Sequence, residues 1–312
     1  MRVKEANITV LGSFVVDLMS RTPHLPVPGE TVLGGPFKLG PGGKGSNQAT
    51  AAARAGANVT MITKLGDDEF AKIATDHFMR EKINTEYILQ DSRYETGAAL
   101  IMVDKNAENM IVVAIGANNY ITKEEVYRAE KKIAQSQILL TQLETNIEAV
   151  IHAVDIAKDN NVKVILNPAP IQSIPEQLLD KIYVLTPNET EAASLAGMEL
   201  RTLDDAERAG QILLKKGIKN VIITLGKNGA LIVNQQMVKH IPAVIVDAVD
   251  TTGAGDAFNG GLAVALAEGK DLIEAVEFAN CLAALSVTKI GTAPSMPYRN
   301  EIDEFMLKRL NR

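Results

Sequence analysis

Asn7-Ile-Thr-Val-Leu-Gly12 is a short, β-branched apolar run ended by glycine, the pattern of a buried strand. Working outward, the small-residue segment Ser46–Ala57 reads as a helix, Val59–Leu65 as a strand and Asp68–Lys82 as a further helix. The alternation continues through strands Ile138–Leu143, Val162–Leu166, Ile182–Leu185 and Asn220–Leu225, with helices Ile147–Asn160, Glu189–Ala196 and Leu203–Lys216 among them. Leu203, Ala206, Ala209, Leu213 and Lys216 recur at helical spacing, as do Leu272, Val276, Ala279, Ala283 and Val287. Apolar strands alternating with such helices imply an α/β fold with a parallel sheet covered on both faces. Ligands of these sheets sit beyond the carboxyl ends of the strands.

Two stretches break the pattern. Phe14–Thr22 with Thr31–Leu39, and Gly97–Val103 with Asn109–Ala114, read as strands without intervening helices, the second pair as a hairpin turned at Asp104–Glu108. Together they make a small antiparallel sheet inserted into the α/β body, fit to act as a lid, an interaction surface or both.

Composition narrows the function classes. The 312 residues are 46% hydrophobic and 22% charged, which excludes a disordered or collagen-like chain. The net charge of −6, with no basic run, argues against a nucleic-acid binder, and aromatics at 4% leave little for base stacking. A single cysteine, Cys281, excludes an intramolecular disulfide framework and fits a reducing compartment. The first residues lack an apolar signal core and no segment approaches a membrane span, so the expected setting is cytoplasmic, with no membrane partner. His24, His77, His152 and His240 show no metal-ligand spacing.

Three constellations could carry chemistry. Gly40-Pro-Gly-Gly-Lys-Gly-Ser-Asn-Gln48 opens a helix; Lys44 is followed by glycine, so this is not a Walker A loop. It is either a flexible turn capped by Ser46 or Asn47, or a platform of amides with Lys44 and Asn47 for a polyhydroxylated ligand. In Asp250-Thr-Thr-Gly-Ala-Gly-Asp-Ala-Phe-Asn-Gly-Gly261, Gly253-Ala-Gly255 leads into a helix beginning near Asp256. Free amides at a helix start bind anions, and an aspartate there is stabilised as a carboxylate, able to accept a proton. Gly260 and Gly261 each cost about 1 kcal/mol inside a helix, which points to close packing rather than a mere cap. Thr186-Pro-Asn-Glu-Thr-Glu191 carries a capping-box pattern at Asn188 and Glu191, and the alternative is an Asn/Glu pair ordering water around magnesium. Gln142-Leu-Glu144 and Thr224-Leu-Gly-Lys-Asn-Gly229 lie beside strand ends, and Glu144 can face a ligand there. Cys281 reads as a buried small apolar residue.

These segments, with Val10-Leu-Gly-Ser13, Pro28-Gly-Glu-Thr31, Asn167-Pro-Ala-Pro170 and Gly291–Ser295, resemble the ribokinase branch of the phosphofructokinase B family of carbohydrate kinases nearly end to end. The resemblance implies a ribokinase-like three-layer sandwich: a body of residues 1–13, 41–95 and 116–312 with a mostly parallel central sheet, and a β lid of 14–40 and 96–115. It implies an ATP-dependent kinase acting on the primary 5-hydroxyl of a pentose, D-ribose first. Asp256 would be the catalytic base and Gly253, Ala254 and Gly255 the anion hole. Asp17, Gly43, Lys44, Asn47 and Glu144 would hold the sugar, and Asn188, Thr224, Gly226, Gly229, Gly255 and Asn280 would line the ATP site, with Glu191 acting on magnesium through water. Asp250, Thr252, Ser286, Lys289, Gly291 and Ser295 would bind potassium, and the lid would pair two subunits.

One position departs from the family's pattern. Val15 stands where ribokinases commonly carry a sugar-binding asparagine, two residues before Asp17. An apolar side chain there leaves a sugar hydroxyl without its partner, which costs about 1–3 kcal/mol and can change the preference among pentoses toward 2-deoxyribose. Rival readings are a nucleoside kinase, which needs a base slot that the sequence does not display, and a non-catalytic sugar sensor, which would be expected to lose Asp256 or the glycines. A dehydrogenase is excluded by the single glycine of Gly12–Asp17.

Overall fold

The computed structural model describes residues 5–106 and 108–310. Nine strands form one sheet: β1 (Asn7–Leu11), β4 (Asn58–Leu65), β5 (Asn84–Gln90), β8 (Ile138–Thr141), β9 (Lys163–Leu166), β10 (Val184–Leu185), β11 (Asn220–Thr224), β12 (Ala230–Asn234) and β13 (Val238–Ile241). Four more, β2 (Val15–Arg21), β3 (Phe37–Gly42), β6 (Thr96–Val103) and β7 (Asn109–Gly116), form a second sheet. The large sheet runs β13-β12-β11-β10-β9-β8-β1-β4-β5 and is parallel from β11 to β5, with β12 and β13 added antiparallel at one edge. β1 therefore lies inside the sheet, as its unbroken apolar run requires: Ile8 and Val10 point into one core, Leu11 into the other.

Helices cover both faces. Helices Lys44–Arg54, Glu69–Arg80, Ala254–Ala267 and Leu272–Ser286 supply the first core, and Ile147–Asp159, Glu189–Ala196 and Leu203–Lys215 the second. Apart from the strand expected over Thr31–Leu39, the expected strands and helices recur with bounds shifted by at most three residues. Strands β5, β12 and β13 and the last helix, Arg299–Leu310, were not expected from the sequence. All three strands lie at or next to a sheet edge; the outermost, β5 and β13, mix polar and apolar residues, whereas β12 is an apolar run buried beside β11.

The small sheet has order β3-β2-β6-β7, antiparallel at both flanks with β2 and β6 parallel at its centre. β6 and β7 form the expected hairpin; within its turn, residue 107 lies outside the described residues, as do residues 1–4 of the body segment 1–13. The strand expected over Thr31–Leu39 begins only at Phe37 and continues to Gly42. The preceding chain is irregular: Pro36 cannot donate to a ladder, and Gly34 lies so close to the Arg21 carbonyl that a Cβ would stand 2.5 Å from its oxygen.

Candidate active site

The carboxyl ends of β1, β8, β9, β10 and β11 and the first turns of helices Lys44–Arg54 and Ala254–Ala267 converge at one end of the large sheet. Glycines permit the approach. A Cβ on Gly45 would stand 2.6 Å from the Gly12 carbonyl carbon, and one on Gly260 would stand 2.5 Å from the Ala51 Cβ. Gly260 and Gly261 are therefore packing glycines: the first seats the helix on Lys44–Arg54 and the second on Leu272–Ser286.

Gly253, at φ 79°, turns the chain into the helix that begins at Ala254, with Asp256 in its first turn. Over Gly255 there is open space: apart from its chain neighbours and its own helix's backbone, no heavy atom lies within 4 Å of where its Cβ would be. Asp256 is 8% exposed. Its Oδ2 accepts from Asn47 Nδ2 and its Oδ1 from Gln48 Nε2, both at 3.0 Å. Gln48 also donates to Asn167 at 3.1 Å and accepts from Gln142 at 2.6 Å. Asn167 donates to the Thr186 carbonyl, Thr186 bonds Asn259, and Asn259 donates to the Gly255 carbonyl. One buried network thus runs from the strand ends to the glycine turn.

The helix start was expected to stabilise Asp256 as a carboxylate. Burial outweighs that: desolvation pushes its carboxyl above the ordinary value, against the Lys44 ammonium and the bonds from Gln48 and Asn47. A raised carboxyl beside a cation is better matched to a base that must accept a proton and release it.

Lys44 and Glu144 face each other across the loop, the Lys44 N–H donating to Glu144 Oε2 at 2.9 Å and Ser13 Oγ to the same oxygen at 2.5 Å. Burial draws the Lys44 ammonium down, but Asp256, Glu144 and Glu191 together hold it above its usual value. Gly43, at φ 87°, is the residue from which this helix springs. Asp17, on β2, is raised to about 6 by burial, with Thr292 opposing and Glu144 and Asp256 adding to the rise. Its Oδ2 accepts from Thr292 Oγ1 at 3.3 Å. A Cβ on Gly42 would stand 2.1 Å from Asp17 Oδ1 and so would push the carboxylate from this position. Val15 projects from the same face of β2 as Asp17, is 2% exposed, and meets Gly97.

A second group lies along β10, β11 and the chain after β13. Asn188 and Glu191 form the capping box: Glu191 N–H donates to Asn188 Oδ1 at 2.8 Å, and Asn188 N–H to Glu191 Oε2 at 2.9 Å. Glu191 is nevertheless buried, and desolvation raises its carboxyl against the Asn188 N–H and Lys44. Thr224 bridges Asn188 at the end of β11. Gly226 has φ 52° and Gly229 φ 94°; a Cβ on Gly229 would strike the Ile241 carbonyl at 2.1 Å. Asn280 donates toward the carbonyls of Ile241 and Pro242, so it borders the same segment as Gly229.

The third group joins two loops. Asp250 accepts from Thr252 N–H at 3.0 Å and Gly291 N–H at 2.9 Å. Burial is overcome by these bonds and by Arg21, and its carboxyl lies below the ordinary value. Ser286 and Ser295 are buried near it, their hydroxyls donating to Ala283 and Thr292 carbonyls, while the Lys289 ammonium pairs with Glu301 at 2.7 Å, away from the loop oxygens.

Comparison with known proteins fits this geometry. The sequence matches the pfkB family of carbohydrate kinases over residues 5–299. The chain belongs to this family. As a pfkB carbohydrate kinase it is a phosphotransferase with an alcohol acceptor, and its ribokinase-like α/β fold is likewise established. It is 45% identical over 299 residues to a Haemophilus influenzae protein named ribokinase, with 96% of this chain and 98% of the relative covered. It is 39% identical over 301 residues to a Salmonella typhi deoxyribokinase, with 96% and 98% covered. Among solved structures, Arabidopsis thaliana ribokinase complexed with ribose and ATP superposes with a TM-score of 0.90 at 30% identity, covering 97% of this chain and 99% of that one.

The sequence did not point to several residues that the structure gathers around Asp256 and Asp17. Gln48, Gln142, Asn167, Asn259 and Thr292 stand in quoted motifs, but nothing in their spacing shows that the first four share one network with Asp256. A cavity of about 530 Å³ lies away from this group, at the opposite end of β1 and β4, lined by Asn7, Thr60 and Lys82 among others; a second, of about 270 Å³, borders the Asn188 and Thr224–Gly229 segments through Glu189, Leu225 and Asn228. Among the described residues, no helix is long and apolar enough to cross a membrane, and no three His, Cys, Asp or Glu side chains gather as a metal site.

Proposed function

We propose that this pfkB kinase transfers the γ-phosphoryl group of ATP to the 5-hydroxyl of D-ribose, giving D-ribose 5-phosphate. One observation carries the reading: the Asp256 carboxylate stands in the first turn of a glycine-led helix and is clamped by Asn47 and Gln48 from the other glycine loop. Asp256 takes the hydroxyl proton as the sugar oxygen bonds to phosphorus, the bond to the ADP oxygen breaks, and the proton ends on Asp256. The amides of Gly253, Ala254 and Gly255 hold the transferred group at the positive end of the helix. Asp17, Gly43, Lys44, Asn47 and Glu144 orient the sugar, and Asn188, Thr224, Gly226, Gly229, Gly255 and Asn280 line the nucleotide. The relatives named ribokinase and the Arabidopsis complex with ribose and ATP support this reading.

A second reading has a specific basis. Val15 is buried beside Asp17 and offers no hydrogen bond, and a deoxyribokinase stands among the close relatives. 2-Deoxyribose is the alternative substrate. Turnover of a panel of pentoses, hexoses and nucleosides with magnesium-ATP and potassium tests both; a large preference for deoxyribose makes it the substrate, and activity confined to nucleosides removes both sugars.

The residues present suit the expected cations. Glu191 keeps its Oε1 free of the capping box and is electrostatically coupled to Lys44 and Asp256, as a carboxylate acting through water on magnesium would be. Magnesium bound to ATP neutralises phosphate charge. Asp250 and the loop oxygens of Thr252, Ser286, Lys289, Gly291 and Ser295 form a hard donor set that suits potassium, whose charge would reinforce the anion hole. The small sheet is the lid, excluding water that would compete as acceptor. Its outer face, with Phe37, Leu39, Leu100 and Val112 exposed, is suited to pairing two copies. The buried lone Cys281 is in keeping with a reducing cytoplasm.

A further inference from the structure

The chain crosses between the small sheet and the body four times: where β1 passes into β2, where β3 runs into helix Lys44–Arg54, where β5 leads into β6, and where β7 returns to the body; the first, third and fourth meet at one corner. One side chain sits among these crossings. Asn118, in the 3₁₀ turn Ala117–Tyr120, is fully buried. Its Oδ1 accepts from the Phe14 N–H at 3.2 Å and from Thr63 Oγ1 at 2.9 Å. Its Nδ2 donates to the carbonyls of Phe14 and Ile115, both at 2.8 Å. An asparagine amide has two donors and two good acceptor positions, and all four are used.

The partners are distributed in a telling way. Phe14 immediately precedes β2, the strand that carries Val15 and Asp17. Ile115 is the penultimate residue of β7. Thr63 belongs to β4, inside the large sheet, and is fully buried. The amide therefore pairs with Phe14 as a neighbouring strand would and fastens the first and fourth crossings to a rigid strand of the body. The third crossing is tied to the same corner: Ala117 N–H donates to the Glu95 carbonyl at 2.8 Å, Thr96 N–H to Asp68 at 2.7 Å, and Gly66 N–H to Thr96 Oγ1 at 2.9 Å. Gly116, at φ 59°, lets the chains approach this closely, since a Cβ there would stand 2.3 Å from the Glu95 oxygen.

We propose that Asn118 is the hinge pin of the lid, a positioning residue that sets where Asp17 stands relative to Asp256. The inference rests on the sugar-kinase reading above and adds to it a residue that touches neither sugar nor nucleotide. Asn118→Asp keeps the shape but replaces the Nδ2 amino group, which gives both donated bonds, with one oxygen facing the Phe14 and Ile115 carbonyls. Thr63→Val keeps the shape and removes only the bond from the body.

Hydrogen exchange followed by mass spectrometry reads the hinge without any turnover. For Asn118→Asp, exchange in β2 and β7 should quicken about tenfold while β1, β4 and β8 keep their wild-type rates; Thr63→Val should show the same pattern more weakly. The KM for sugar should rise several-fold with the KM for ATP unchanged, and ATP hydrolysis without sugar should rise relative to sugar phosphorylation. Unchanged lid exchange, or exchange quickened equally in both sheets with activity reduced only in proportion to folded protein, would overturn the proposal. Should Asn118→Asp fail to fold, Thr63→Val alone decides between these results. Wild-type turnover of sugars is measured alongside, so a failed kinase reading and a failed hinge are told apart.

Discussion

Asp256 and Asp17 are both raised by burial, but they stand in different company. Asp256 is clamped by two amides and faces Lys44, whereas Asp17 receives one long bond from Thr292. Replacing Asp256 with Asn should lower kcat by about 10²–10⁴-fold while nucleotide binding, read by calorimetry, stays near wild type; substantial retained turnover would remove it as the base. Asp17 is raised to about 6 from 3.8, so the fold favours its protonated form. Its contribution to stability is present below pH 3.8 and lost as pH rises through about 6. A sugar hydroxyl donates to the ionised form, so the KM for sugar should fall as pH rises from roughly 5 to roughly 7 and then level off. Asp17→Asn should flatten that profile, and an unchanged profile would detach it from Asp17. At this scale Asp256, Asn47 and Lys44 were legible because glycine-rich helix starts expose amides and end in polar side chains. Their partners were not: Asn47 and Asp256 are separated by 209 positions, and only the folded sheet shows which amide meets which carboxylate.

At the scale of elements, the Gly260–Ala51 contact makes a direct prediction. Alanine is the better helix former, by about 1 kcal/mol, yet its methyl would lie in the neighbouring helix. Gly260→Ala should therefore destabilise, by about 1–3 kcal/mol, as a lower midpoint in thermal unfolding; a raised midpoint would show that the helices part easily. The glycine pair announced close packing, but not the identity of the neighbours. Interior strands β1, β4, β8 and β9 could be read because they are buried on both faces. The Asn188 and Glu191 pattern allowed both a cap and a cation role, and the capping box is now visible while the Glu191 carboxyl keeps an oxygen to spare.

At the scale of the molecule, the register of the small sheet puts Leu18, Leu39, Leu100 and Val112 on one face and Asp17, Ala99 and Val113 on the other. Leu100 and Val112 are 57% and 66% exposed, on the face away from Asp17. If that face pairs two copies, Leu100→Lys with Val112→Lys should convert a dimer into a monomer in sedimentation velocity, and an unchanged mass would place the interface elsewhere. Exchanging potassium for tetramethylammonium should depress turnover, and indifference would dissociate Asp250 and its loop from cation binding. The separation of sheets was legible from the two helix-free stretches; the parallel pairing of β2 with β6 was not, because each strand leaves the body on a separate excursion. Helix Lys44–Arg54 and helix Ala254–Ala267 meet atom to atom at Gly260, so the span between Asn47 and Asp256 is set once, by packing, whatever sugar arrives. Val15 and Asp17 ride on the other sheet. Chimeras that exchange residues 15–42 with a relative of different taste should thus inherit the donor's choice of sugar while keeping this chain's own pace of phosphate transfer.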